Sequence, residues 1–315
     1  MRHKIRVYYS HLKRGARFFR HSVLTVRNKR DVLILISRIC ERIAPANLEP
    51  SRTTSPAFRG QELIKSHRFS YIADSTITVS FIYPFFRKDD VILASLKSLE
   101  DLIVDASIKT EVIIIDDGSE KTDISKVLPD KVIYLWRNKF EYGISRSRNL
   151  GAKIANGEYF VFLDPDLILS PNYLQAMMDQ FHRFGDRVIL TGYLKDYHYK
   201  GCEDPRSAWG VWENPDTYSS RFLSIAGGNM AIHRRLFSEV GGFDEDLIYG
   251  GVEDILFGYL ASQLPDTGVV YSSGMTATHI PHPEGLAHAR TSLSWDIVAQ
   301  KYPDLYIDYI KNGLR

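Results

Sequence analysis

The sequence predicts an α/β fold, a Rossmann-like mixed, mainly parallel sheet flanked by helices and preceded by a basic helical extension, and three observations support it. After Glu158, residues 159–163 form a wholly apolar run that ends in Asp164-Pro165-Asp166, as expected of a strand covered on both faces in the middle of a sheet. Upstream, apolar strand-like runs alternate with a segment of helical periodicity, the pattern of a βαβ unit. The first 42 residues carry twelve Lys/Arg against Asp31 and Glu41, a net of +10, so the rest of the chain holds −8 of the overall +2.

With 315 residues, 44% hydrophobic and 25% charged, the chain is long enough for one large α/β domain with an appendage. Two cysteines, Cys40 and Cys202, suggest neither a disulfide framework nor a Cys-based zinc site. No apolar run approaches the roughly 20 residues that span a bilayer, and the basic start lacks the pattern of a cleaved leader. A cytoplasmic location is expected.

In chain order, Tyr8 or Tyr9, Leu12, Ala16, Phe19, Val23 and Val26 recur at helical spacing among basic residues, and Val32, Leu35, Ile36, Ile39 and Ile43 suggest a second helix before Pro45. Such helices either attach residues 1–42 to an anionic membrane surface or pack on the main domain or a second subunit, as in a homo-oligomer. Residues 45–62 read as a linker, so residues 1–62 are expected to form the extension and 63–315 the main domain. Within that domain the expected parts are a nucleotide-binding half (76–190), an acceptor and catalytic half (191–290) and a helical tail (291–315).

Residues 76–83 predict a first strand stopped by Pro84, 91–103 a helix, 111–115 a second strand ending in Asp116-Asp117-Gly118-Ser119, and 132–136 a further strand. A helix after Gly143 and the turn Asn156-Gly157 lead to the central run. Right-handed crossovers then gather the loops after Ile115, around Arg148 and after Leu163 at one edge. There Arg148 is suited to a pyrophosphate oxygen, and Asp116 or Asp117 to a base or ribose. Asp164 and Asp166 suit a hard divalent cation shared with phosphate oxygens; the plainer reading is a solvated turn, since Asp and Pro are common turn residues.

Residues 79–84, 115–119, 147–151 and 157–166, taken in this order, resemble the nucleotide-sugar-binding half of the family 2 glycosyltransferases, which have the GT-A fold. The resemblance covers residues 76–285 and implies a UDP-sugar donor and Mn²⁺ or Mg²⁺. It implies that Asp117 contacts the uracil or ribose, that Pro84 lines the base pocket with Phe85 and Arg87 beside it, and that Asp164 approaches ribose or metal while Asp166 binds the metal. Residues 227–254 resemble galactosyl- and N-acetylgalactosaminyltransferase-type enzymes such as bacterial chondroitin polymerase. This implies Asp254 as the base that deprotonates the acceptor hydroxyl, Glu253 as its acceptor-holding neighbour, and His279, rather than His282, as a metal ligand. The paired Gly227-Gly228 allows close approach to a ligand, and Asn229 offers a hydrogen bond to a sugar hydroxyl. Residues 195–222, with Trp209, Trp212 and Tyr218, are expected to meet the acceptor, against the plainer reading of aromatic packing.

The resulting expectation is an inverting transferase that moves GalNAc, Gal or GlcNAc from a UDP-sugar to a saccharide or glycolipid hydroxyl. The alternatives are a sugar-phosphate nucleotidyltransferase, which needs a Gly-rich basic loop where this chain has Pro84-Phe85-Phe86-Arg87, and a non-enzymatic adaptor that binds membrane or nucleic acid through its basic front. Nucleic acid is not an expected partner of the enzyme.

Overall fold

A computed structural model describes residues 64–66, 77–104, 108–119, 132–137, 143–196, 204, 206–207, 210–248, 250–281 and 287–312. The expectations for residues 1–62, Trp209 and His282 lie outside the described residues.

The described elements are β1 (Ile64–Ser66), β2 (Val79–Phe85), α1 (Asp89–Val104), β3 (Thr110–Asp116), β4 (Val132–Arg137), α2 (Ile144–Ile154), β5 (Tyr159–Leu163) and β6 (Leu167–Leu169). They continue as α3 (Tyr173–Phe184), β7 (Val188–Lys195), β8 (Tyr218–Ser219), β9 (Asn229–His233), α4 (Arg234–Val240), α5 (Glu253–Ser262), β10 (Gly268–His279), α6 (Ala287–Lys301) and α7 (Pro303–Asn312). One sheet runs β1-β4-β3-β2-β5-β9-β7-β10-β6, with β8 beside β10. Parallel pairing is confined to β4-β3-β2-β5 and to β7-β10, and the other pairings are antiparallel. The sheet is therefore mixed, as expected, with its parallel pairing concentrated in the first half, because β9 enters between β5 and β7 from the opposite direction.

Alternation along β2 shows why the sheet is covered on both sides. Val79, Phe81, Tyr83 and Phe85 join Ile92, Leu96 and Leu99 of α1 and Tyr173, Met177 and Phe181 of α3 in one apolar layer. Ile82 points the other way, into a layer with Ile113, Ile115, Phe160, Phe162, Phe237 and Phe257. α2 reaches that face closely because residue 151 is glycine: a Cβ there would run into Ile82 Cγ2. A third cluster joins Leu247, Val252 and Leu256 to Val298 of α6 and Leu305 of α7.

Two boundaries differ from the sequence reading. Pro84 does not end β2; it pairs with Ile115 in a strand that runs on to Phe85, since parallel β3 alongside needs no N–H from that position. The apolar run that predicts a last core strand over about residues 268–271 does not stop there but continues as strand to His279, with an irregularity between Ser272 and Ala277. β1, β6, α3, β8, β9 and α4 have no counterpart in the sequence reading. No helix among the described residues is long and apolar enough to cross a membrane.

Candidate active site

The chain runs outward from β2 through α1 to β3 and β4, then returns across β2 to β5 on its other side. The carboxyl ends of β2 and β5 thus flank the point where strand order reverses, where open α/β sheets hold their ligands. The predicted loops meet here. Asp117, after β3, donates its N–H to the Phe85 carbonyl at 2.7 Å, and its Oδ2 accepts from the Gly143 N–H at 3.0 Å, tying the ends of β2 and β3 to the start of α2. Asp116 is fully buried and accepts from the Ser119 N–H at 2.8 Å, so it shapes the turn, while Asp117 lies one residue further toward the edge. Ser119 Oγ in turn accepts from the Arg87 N–H at 3.0 Å.

β9 brings the second half to this edge. Leu163 stands opposite Asn229, and the Asp164 N–H donates to the Gly228 carbonyl at 2.9 Å. A Cβ on Gly228 would collide with the Asp164 carboxylate, and one on Gly227 would lie 2.8 Å from Arg148 Nη1 and 3.1 Å from Asp254 Cβ. The glycine pair is therefore a narrow strip of backbone with Asp164, Arg148 and Asp254 packed against it. The Asp254 carboxylate accepts from the Gly227 N–H at 3.2 Å and from the Ile255 N–H at 2.9 Å at the start of α5. Burial pushes its pKa up to about 6, with Glu253 adding to the rise and the Gly227 N–H and Arg148 opposing it. The Asp164 side chain keeps 42% of its surface in solvent. The surrounding protein still raises its pKa, by desolvation first, against the pull of Arg148 and with further push from Asp166 and Glu253.

The third approach comes from β10. Its antiparallel pairing with β6 sets His279 opposite Leu167, and the Ile280 N–H donates to the Asp166 carbonyl at 2.7 Å. His279 Nε2 consequently lies 3.8 Å from Asp166 Oδ2, more than a hundred residues away in sequence. That carboxylate, 7% exposed, also accepts from Lys88 Nζ at 2.8 Å.

Several expected ligands have other duties. Arg148 is only 1% exposed; its guanidinium lies over the Phe243 ring and donates to Glu253 at 2.9 Å and Asp164 at 3.3 Å. It holds two carboxylates in place rather than facing a pyrophosphate. Glu253 is buried between Arg148 and the Val252 N–H, 3.1 Å away, so it anchors the arginine instead of reaching an acceptor. Asn229 is fully buried, accepts from the Tyr173 hydroxyl at 2.6 Å and donates to the carbonyls of Tyr193 and Met275. It fastens β9, α3 and β10 together and offers nothing to a sugar. The Phe85 ring belongs to the core, leaving its carbonyl at the edge, and the Arg87 guanidinium lies over Phe86. Trp212 packs edge-on against Tyr193 and Tyr271 with Arg206 over it, as the plainer reading has it. Tyr218 is exposed but lies beside Gly268 at the opposite end of β10 from His279.

Lys88 was missed. The signal was one residue beyond the quoted loop, a lysine directly after Arg87 where the chain leaves the first strand.

Asp166 and His279 fit a divalent cation as a pair, with Asp164 close enough to feel the charge of Asp166. Among the described residues no three His, Cys, Asp or Glu side chains gather around one point, so an ion here would complete its shell with ligand oxygens, the usual habit of Mg²⁺ at phosphate sites.

Comparison with known proteins bears on the family and the fold. The chain is 28% identical over 181 residues to N-acetylgalactosaminyltransferase 7 of Drosophila melanogaster, a match covering 46% of this chain and 29% of that protein. It spans about a third of the length of such curated relatives. Its fold is similar to that of Staphylococcus aureus TarS residues 1–349 in complex with UDP-GlcNAc (TM-score 0.56, 17% identity, 71% of this chain and 66% of that one). It is similar also to GalNAc-T7 with UDP, GalNAc and Mn²⁺ (TM-score 0.57, 19% identity, 74% and 49%). The family model for glycosyl transferase family 2 matches residues 80–240, more than half of the chain, which therefore belongs to that family.

Proposed function

We propose that this chain transfers a sugar from a UDP-sugar to a saccharide hydroxyl with inversion at the anomeric carbon. One observation carries the reading: three segments far apart in the chain bring carboxylates and a histidine to the reversal point of the sheet, with Asp164 and Asp254 packed against Gly227-Gly228 and His279 3.8 Å from Asp166. Asp117 and the backbone of Pro84 and Phe85 form the floor at which a uridine would lie. Asp166 and His279, beside Asp164, would hold Mn²⁺ or Mg²⁺. When bound, such an ion acts as a Lewis acid for the departing diphosphate. Asp254 would accept the acceptor's proton as its oxygen attacks the anomeric carbon, while the sugar–phosphate bond breaks and UDP leaves with the bonding pair. A raised pKa suits that task, since it makes the carboxylate a stronger base than an ordinary aspartate while leaving it ionised at neutral pH.

GalNAc, Gal and GlcNAc are the donors we favour, GalNAc and GlcNAc being supported by the names of relatives and neighbours; the acceptor we propose is a polysaccharide or glycolipid hydroxyl. A cytoplasmic location with residues 1–42 on an anionic membrane face belongs to the same reading, supported by the +10 charge of that segment.

Calorimetric titration of UDP in excess Mn²⁺ tests the donor site. Asp166→Ala is expected to lose metal-dependent UDP affinity while its thermal unfolding stays near wild type; unchanged affinity would remove Asp166 from the site.

A further inference from the structure

Lys88 occupies the place in this site where a cation is needed. Its Nζ lies 2.8 Å from Asp166 Oδ2, the same oxygen that stands 3.8 Å from His279 Nε2. An ammonium group therefore shares the carboxylate that a divalent ion would use.

A nucleoside diphosphate brings a cluster of negative oxygens to this edge, and three basic side chains stand near enough in the chain to consider. Arg148 has both terminal nitrogens committed to Glu253 and Asp164 and only 1% of its surface exposed, so releasing it would leave a buried carboxylate without its partner. Arg87 sits at φ 51, a left-handed backbone conformation, with its guanidinium over Phe86. Lys88 differs from both. Its side chain is 27% exposed, it lies at the end of β2 beside the reversal point, and its flexible stem lets the ammonium change partners without moving backbone.

We infer that Lys88 is a diphosphate-binding residue that exchanges partners: it neutralises Asp166 in the empty site and swings to the diphosphate oxygens of the donor, releasing Asp166 to a divalent cation. The inference rests on the donor-site reading above. No bond to Lys88 forms or breaks; it contributes an ion pair that strengthens as negative charge gathers on the leaving diphosphate. Because a cation entering alone must displace Lys88 from Asp166, whereas one entering with nucleotide need not, each ligand should raise the affinity for the other by the same factor.

The test uses the full chain and its Lys88→Met and Lys88→Arg variants. UDP is titrated calorimetrically in EDTA, and Mn²⁺ is titrated without nucleotide by the electron paramagnetic resonance of the free ion. Lys88→Met should lose about tenfold in metal-free UDP affinity, the worth of one charged hydrogen bond, and should bind Mn²⁺ several-fold more tightly than wild type in the absence of UDP. Lys88→Arg should retain metal-free UDP binding. Unchanged metal-free UDP affinity in Lys88→Met, or no metal-free UDP binding by wild type, would overturn the inference and leave Lys88 as a surface ion pair. Loss of UDP affinity with no gain for Mn²⁺ would overturn the exchange. If wild type binds no UDP even in Mn²⁺, the donor-site reading itself falls; if wild type binds in Mn²⁺ and only the Lys88 outcomes fail, that reading stands.

Discussion

In the proposed reaction Asp254 serves two purposes with one carboxylate. Its oxygens accept from the Gly227 and Ile255 N–H groups, which fixes the start of α5, yet a carboxylate has lone pairs enough to accept from an acceptor hydroxyl as well. Asp254→Asn keeps the shape and removes the basicity, so transfer should fall about 10²–10⁴-fold in steady-state kinetics while UDP affinity holds. A base must be ionised to work, and the pKa of Asp254 is raised to about 6, so the transfer rate should climb as pH rises through about 6. A flat profile across that range would remove Asp254 from the proton transfer. A product of retained anomeric configuration, read from NMR coupling constants, would exclude the single displacement whatever the variant does. Gly228→Ala pushes a Cβ into Asp164; UDP affinity in Mn²⁺ should drop about tenfold or more, because the displaced carboxylate must take the Arg148 ion pair with it.

At the scale of elements, the site depends on how closely helices and strands approach. α2 carries Arg148 on the buried face that also presents Gly151 to Ile82. Gly151→Ala should therefore lift this helix from β2 and destabilise the protein by about 1–3 kcal/mol in chemical denaturation, even though alanine is the better helix former. If stability rises instead, the helix has room that the close contact denies. The pairing of β10 with β6 is the other decisive contact. β6 is three residues long, with exposed Ile168 between buried Leu167 and Leu169, too short a pattern to find by periodicity. Without it His279 would not reach Asp166. On the far side of α5, Ser294 Oγ of α6 donates to the Gly250 carbonyl at 2.8 Å, and Lys301 pairs with Asp244 and Asp246, so the tail holds the loop that leads into Asp254.

For the whole molecule, charge separates the front of the chain from the rest. If residues 1–42 bind an anionic membrane surface, a chain lacking them should turn over a soluble acceptor at the wild-type rate and no longer sediment with anionic vesicles. Binding of the intact chain should weaken as salt rises, since surface charges are screened within about 10 Å at 0.1 M. Co-sedimentation that survives truncation would assign the membrane contact to the main domain.

Sequence by itself determined the central strand, the first βαβ unit, the carboxylate loops at its edge and the family, because each is written in contiguous residues whose periodicity and turn chemistry act locally. Only the tertiary structure decided which of these polar and charged side chains are buried against one another and which stay at the open edge. Arg148, Glu253 and Asn229 looked available in the sequence and are spent on buried partners, since a charge or amide folded into a core must find its complement there. His279 and Lys88 gained their places beside Asp166 from strand pairing and from a strand end at the reversal of the sheet, contacts between segments far apart in the chain that no local pattern records.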